Sequence, residues 1–191
     1  MADLISRAKI AIIGQKSAEL ASSLGIDKVA FEEADGAIFI VSANDGIVSA
    51  DLESWRTARD LYIPSLVVIS DLNSSEIDFE DMSAIASKML DPIVTPYLVL
   101  HGDDGAPAAL ISLDSLEVSD YSGAQIIKRA ADPEHEELVA EFRSEYLEAL
   151  EDAGENSFQA GLLFPALPWI EKTQMGIKEI KEYLNLVPTI S

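Results

Sequence analysis

Gly14-Gln15-Lys16-Ser17 is the one stretch of this chain where a glycine turn, a cation and a hydroxyl meet between an apolar run and a helical pattern. Residues of these types touch phosphate chemistry when they belong to a loop of the form G-x-x-x-x-G-K-[ST]. Such a loop wraps a polyphosphate in backbone N–H groups, with the Lys on the outer phosphates and the hydroxyl on Mg²⁺. Four residues of that loop are missing here, so the tetrapeptide reads first as a strand-to-helix turn that keeps only a weak attraction for anions at the helix start. A second polar stretch, Ser70-Asp71-Leu72-Asn73-Ser74-Ser75, follows another apolar run and reads as a loop capping the next helix. His101 has Asp103 and Asp104 beside it, and reads as a satisfied surface histidine in preference to a general base. Carboxylates abound, but no pair is singled out for acid–base work.

These residues need elements to hold them, and apolar periodicity supplies the expectation. Lys9–Gly14 is a strand and Ser17–Leu24 a helix. Gly36–Ser42 is a buried strand closed by the turn signal Asn44-Asp45-Gly46. Asp51–Leu61 is a helix presenting Leu52, Trp55, Ala58 and Leu61, stopped by Pro64; Ser65–Ser70 is a third strand and Phe79–Leu90 the following helix, with Met82 and Met89 as core filler. Trp55 reads as core and Arg56 as helix surface. The second half changes character: Pro96–His101 and Ala108–Ser112 flank Gly102-Asp103-Asp104-Gly105 as a hairpin, and Pro133–Ala153 is a long acidic helix with Leu138, Phe142, Tyr146, Ala149 and Ala153 along its apolar face. Gly161–Pro165 reads as a last strand, and Ile177, Ile180 and Leu184 mark a closing amphipathic helix. Strands alternating with helices predict an α/β fold around a mostly parallel sheet.

Composition narrows the function classes. A chain of 191 residues with 48% apolar content fills a sizeable core. No apolar run is long enough to span a bilayer, and Met1-Ala2-Asp3-Leu4 lacks the order of a secretory signal; the expected location is the cytoplasm. The absence of cysteine excludes disulfides and thiolate metal sites, and His101 and His135 lie too far apart for a local metal motif. A formal net charge of −21 repels nucleic-acid phosphates. The charge reads chiefly as solubility, and otherwise as an acidic surface for a basic partner.

Four segments resemble, in order, the GTP-binding domain of elongation factor G and related ribosomal GTPases. They are Ala34-Asp35-Gly36-Ala37 running through its strand to Asn44-Asp45-Gly46-Ile47; the helix segment Glu53-Ser54-Trp55-Arg56-Thr57-Ala58, ending in Tyr62-Ile63-Pro64; the Pro-led strand Pro64–Ile69; and Gly161–Tyr183. The stretch of about 91–160 resembles the subdomain inserted in that family's nucleotide domain. The resemblance covers 34–188 and implies a three-layer, P-loop-NTPase-like α/β fold, truncated on its N-terminal side, with a small α+β insertion inside one domain spanning 1–191.

What the resemblance implies for chemistry is a site in degenerate form. After Pro64 and its strand the family carries Asn-Lys-x-Asp to grip guanine; here Ser70 takes the Asn position, Asp71 the Lys position and Asn73 the Asp position. An Asp carboxylate accepts both guanine N–H donors, whereas Asn73 turns an NH₂ toward one of them, a mismatch of about 1–3 kcal/mol. No Asp-x-x-Gly lies between Gly14 and Ala34: if Gly14 marks the phosphate loop, the first switch and two strands are gone, and if it marks the second switch the whole phosphate loop is gone. The family's base-contacting Ser-Ala pair is matched by Pro165–Trp169, where prolines remove N–H groups and Trp169 reads as packed core.

The expectation is a non-enzymatic, translation-related module that binds a protein partner, with ribosomal proteins as the candidates, and that carries no cofactor, no metal and no membrane contact. Two alternatives stand beside it. One is a residual nucleotide-binding enzyme that uses Lys16, Ser17, Ser70, Asp71 and Asn73 toward GTP and Mg²⁺. The other is a fragment of a longer translation factor.

Overall fold

The computed structural model describes residues 7–189, so the opening tetrapeptide read for a leader lies outside the described residues. Short apolar runs separated by helical patterns build a parallel sheet of β1 (Ile10–Ile13), β2 (Gly36–Ser42), β3 (Ser65–Ser70) and β8 (Ala166–Pro168), in that spatial order. Every residue of β2 and β3 is buried. That is why these strands read as continuous apolar runs without alternation, the mark of a sheet covered on both faces.

The covering helices divide by face. Leu20, Ala21 and Leu24 of α1 (Ser17–Leu24) pack with Ile177, Ile180 and Leu184 of α5 (Ile177–Leu184) against Ile38, Ile40, Leu66 and Val68. Trp55 and Ala58 of α2 (Ser49–Asp60), together with Phe79 and Met82 of α3 (Phe79–Met89), pack on the other face against Phe39, Val41, Val67 and Ile69. All three crossovers step the same way along the sheet, yet α1 lies on the face opposite α2 and α3. The first crossover therefore has the opposite hand to the next two, against the strong preference for one hand. Its path explains how: after α1 the chain runs beside the free edge of β1, where Val29 N donates to Ile10 O at 3.0 Å, and rounds that edge to bring Phe31 onto the second face.

Between α3 and β8 stands a second sheet, an antiparallel meander of β4 (Tyr97–His101), β5 (Pro107–Ser112), β6 (Glu117–Asp120) and β7 (Ile127–Ala130). Alternation along its strands sends Leu98, Ile111 and Val118 toward Val139 and Tyr146 of α4 (Pro133–Ala153), and Val99 and Leu110 into the core beside Phe79 and Met82. Both ends of this inserted unit meet at Arg59. Its Nε donates to Asp91 Oδ2 at 3.0 Å, its Nη1 donates to the carbonyl of Gly161 at 2.8 Å, and its guanidinium sits 4.1 Å from the centre of the Phe164 ring. Gly161 has φ 67, and a Cβ there would lie 2.4 Å from the Tyr62 carbonyl oxygen, so only glycine allows the chain to pass so close to the end of α2.

Several expectations are corrected. The last strand is Ala166–Pro168, not Gly161–Pro165. Pro168 is tolerated there because the sheet bonds come from its neighbours: Val67 N donates to Pro165 O and Trp169 N to Ile69 O, both at 2.9 Å, while Ala166 N turns outward to Val94 O. On α4 the buried face runs through Val139 and Tyr146, whereas Leu138 and Phe142 are exposed. Leu61, which closes α2, and Met89, the last residue of α3, are exposed as well, on the side of each helix end turned from the core that Ile63 and Leu90 meet. The strands β6 and β7 were not anticipated at all.

Candidate functional site

In an open parallel sheet the strand ends converge on one rim, and ligands favour the crevice outside the carboxyl ends. Here the rim is formed by the turn after β1, the end of β2, the turn after β3 and the loop after β8. Gly14 opens the first turn with φ 110, and a Cβ on it would lie 2.6 Å from the Ile40 carbonyl oxygen. The turn is pressed onto β2, where a phosphate-wrapping loop would have to stand away from it. Lys16 follows with φ 60 and hands the chain directly to α1.

At the end of β3, Asp71 has φ 63, a left-handed position that Asp tolerates better than most residues. This conformation turns its carboxylate back across the rim and not toward α3. There it pairs with Lys16 Nζ and accepts hydrogen bonds from Ser42 Oγ at 2.7 Å and Ser70 Oγ at 3.2 Å. Ser42 in turn accepts from the backbone N–H groups of Asn44 and Asp45, each at 3.2 Å. One carboxylate thus ties together the ends of three strands. Burial pushes the Asp71 carboxyl up, but the donors from Lys16, Ser42 and Ser70 outweigh it and hold the group below the usual carboxylate range. The hydrogen bond to Asp71 holds Lys16 above the usual lysine value, against partial burial.

Of the five residues singled out in the sequence, Lys16, Ser70, Asp71 and Asn73 line one cavity of about 210 Å³, with Trp169, Glu171 and Lys172 opposite. Ser17 does not line it; its hydroxyl accepts from Lys28 Nζ at 2.9 Å. Asn73 is exposed. The stretch 70–75 does not cap α3 as expected: that cap is Asp78, whose side chain accepts from Asp81 N at 2.8 Å. The loop facing the rim after β8 is 171–174, held by the Ile170–Met175 bridge, and not Pro165–Trp169, which is strand or core. Trp169 is buried, as read. Ser42 and Arg59 were missed. The signal for Ser42 was a hydroxyl ending an apolar strand, and in the sheet it stands directly beside Ser70.

Chemically, this rim is a small polar crevice in which Lys16 and the hydroxyls of Ser42 and Ser70 already have protein partners, with Lys172 the further cation in the lining. Its volume falls below the roughly 300 Å³ at which pockets for drug-sized ligands begin. Elsewhere, His101 lies exposed at the end of β4, and Asp104 is committed to its own turn through Ala106 N at 3.0 Å. Trp55 is buried and donates Nε1 to Asp91 at 2.7 Å, while Arg56 is exposed. Among the described residues no helix is long and apolar enough to cross a membrane.

Comparison with known proteins gives the fold a context. No family model matches the chain. It is similar to an elongation factor G-like protein of Mycobacterium tuberculosis, in the CDC 1551 / Oshkosh strain and in H37Rv, at 21% identity over 186 residues, covering 85% of this chain. The chain spans 25% of the length of those curated relatives. A crystal structure of a protein from Thermus thermophilus superposes with a TM-score of 0.72 at 24% identity, over 83% of this chain and 27% of that one. The protein therefore has a mixed α/β fold similar to that structure and a distant sequence similarity to elongation factor G-like proteins.

Proposed function

We propose that this protein is a non-catalytic, elongation-factor-G-like domain that has lost its nucleotide chemistry and serves in translation by binding a protein partner. The observation that carries this reading is the engagement of Asp71 with Lys16, Ser42 and Ser70. A cation that is to hold a phosphate must be free to reach it, and here the carboxylate at the guanine-motif position holds the lysine of the phosphate turn. A nucleotide would have to break that pair and then meet the negative charge of Asp71 at short range. Two further observations support the reading. The turn at Gly14 is pressed onto β2, and the reversed hand of the first crossover fits the loss of chain between β1 and β2.

Charge selects the kind of partner. With a net charge of −21, contact with bare RNA phosphates is repulsive, whereas a basic protein surface is attracted at long range. Ribosomal proteins offer such surfaces. The test is co-sedimentation with ribosomes across a salt series, in competition with purified ribosomal RNA and with the total ribosomal-protein fraction. The reading predicts pelleting that weakens with salt and is competed by the protein fraction alone. Competition by RNA alone, or no pelleting at low salt, would overturn it.

A further inference from the structure

A cavity of about 440 Å³ lies away from the strand-end rim, between the second sheet, α4 and α5. Its volume is in the range of small-molecule sites. Three tyrosines stand in its wall, Tyr97 from β4, Tyr146 from α4 and Tyr183 from α5. Burial pushes all three phenols up, so they are neutral at physiological pH. The charges in the lining do not cancel. Lys128 pairs with Glu117, and Lys178 Nζ lies 3.7 Å from Glu182 Oε1. That leaves two carboxylates in excess, Asp114 and Glu179, the latter with Lys178 acting on it through charge but forming no ion pair with it.

Glu179 is the more telling of the two. It is 3% exposed and receives the Tyr121 hydroxyl, at 3.0 Å from Oε1 and 2.8 Å from Oε2, together with its own backbone N–H. An ionised carboxylate offers about four acceptor positions, so one phenol proton and one amide leave roughly half of them open. A buried anion so poorly matched is costly, and burial accordingly pushes its carboxyl up. Asp114 stands exposed at the mouth of the cavity; no hydrogen bond or ion pair among the described residues closes on its carboxylate.

We propose that this cavity binds a small organic diammonium cation, with one ammonium on Glu179, the other on Asp114, and the tyrosine side chains enclosing the carbon linker between them. Ammonium groups supply three donors each and the charge that the lining lacks, and aromatic walls favour organic cations over bare metal ions. The inference goes beyond the nucleotide-free reading and does not rest on it, since the two sites share no residue.

The test is calorimetric titration with diaminopentane, and with pentanediol as the uncharged match, in roughly 0.3 M NaCl, where diffuse attraction to the chain's net charge is screened. The expected result is saturable one-to-one binding of the diamine and no heat from the diol. Glu179→Gln and Asp114→Asn should each weaken binding by about tenfold or more, while Glu148→Gln, an exposed residue of α4 outside the cavity, should leave it unchanged. Gln keeps an acceptor for Tyr121; should circular dichroism show that variant misfolded, the exposed Asp114→Asn carries the test alone. Absence of saturable binding, equal binding of the diol, or equal weakening by Glu148→Gln would overturn the proposal.

Discussion

Asp71 and Lys16 are unequal partners, and mutation will show it. Lys16 keeps 40% of its side chain exposed and Asp71 only 14%; solvent screens the lysine end, whereas the carboxylate also satisfies two serine hydroxyls. Lys16→Ala should cost no more than about 1 kcal/mol, and Asp71→Ala about 2–3 kcal/mol, since Ser42 and Ser70 lose their acceptor. Chemical denaturation of the two variants measures both. The linkage has a definite sign. The lowered pKa of Asp71 makes its contribution full above the unfolded value of 3.8, and lost as pH falls through the folded value. The raised pKa of Lys16 makes its contribution full below 10.5, and lost as pH rises through the folded value. Asp71→Asn should therefore flatten the acid limb of the stability profile and, because Asp71 is what raises Lys16, weaken the loss on the alkaline side as well. None of this pairing was legible in the sequence, because Lys16 and Asp71 are brought together only when β1, β2 and β3 lie side by side. Lys16, Ser70, Asp71 and Asn73 were legible as candidates; Ser42 and the engagement of these residues with one another were not.

At the scale of elements, legibility followed apolar density. The strands β2 and β3 and the helices α1 and α4 fall at the residues the pattern marked, because a strand buried on both faces writes itself as an unbroken apolar run. In contrast, β6 offers a single apolar side chain, Val118, and all four residues of β7 are exposed; Lys128 and Arg129 on that edge strand guard against pairing with other chains and hide it from any hydrophobic pattern. The face of α4 was misread for a related reason. Leu138 and Phe142 satisfy a helical spacing as well as Val139 and Tyr146 do, and only the position of the second sheet decides between them. Truncation distinguishes the faces: Val139→Ala should cost about 1–3 kcal/mol through lost burial, whereas Leu138→Ala should stay within about 0.5 kcal/mol. Arg59 is the element-scale clasp. Its loss leaves Asp91 with the Trp55 Nε1 hydrogen bond but without its charge partner, and the Gly161 carbonyl without its donor, so Arg59→Ala should cost about 2 kcal/mol after allowance for partial exposure. Limited proteolysis should then cut more readily near the two ends of the inserted unit.

At the scale of the whole molecule, the α/β class and the mostly parallel sheet followed from the alternation of patterns, and the structural likeness to the Thermus thermophilus protein agrees with it. The hand of the first crossover could not be read, since handedness depends on which face α1 covers and both faces of β2 are equally apolar. The chain between Gly14 and Ala34 rounds the edge of β1; together with the strand ends tied by Asp71 and the net charge of −21, it supports the proposed account, in which the fold serves contact and not catalysis. Calorimetric titration of the purified protein with GTP and with GDP, in the presence of Mg²⁺, tests that account most directly. It predicts no saturable heat up to millimolar nucleotide; a micromolar dissociation constant for either nucleotide, weakened by Lys16→Ala, would contradict it.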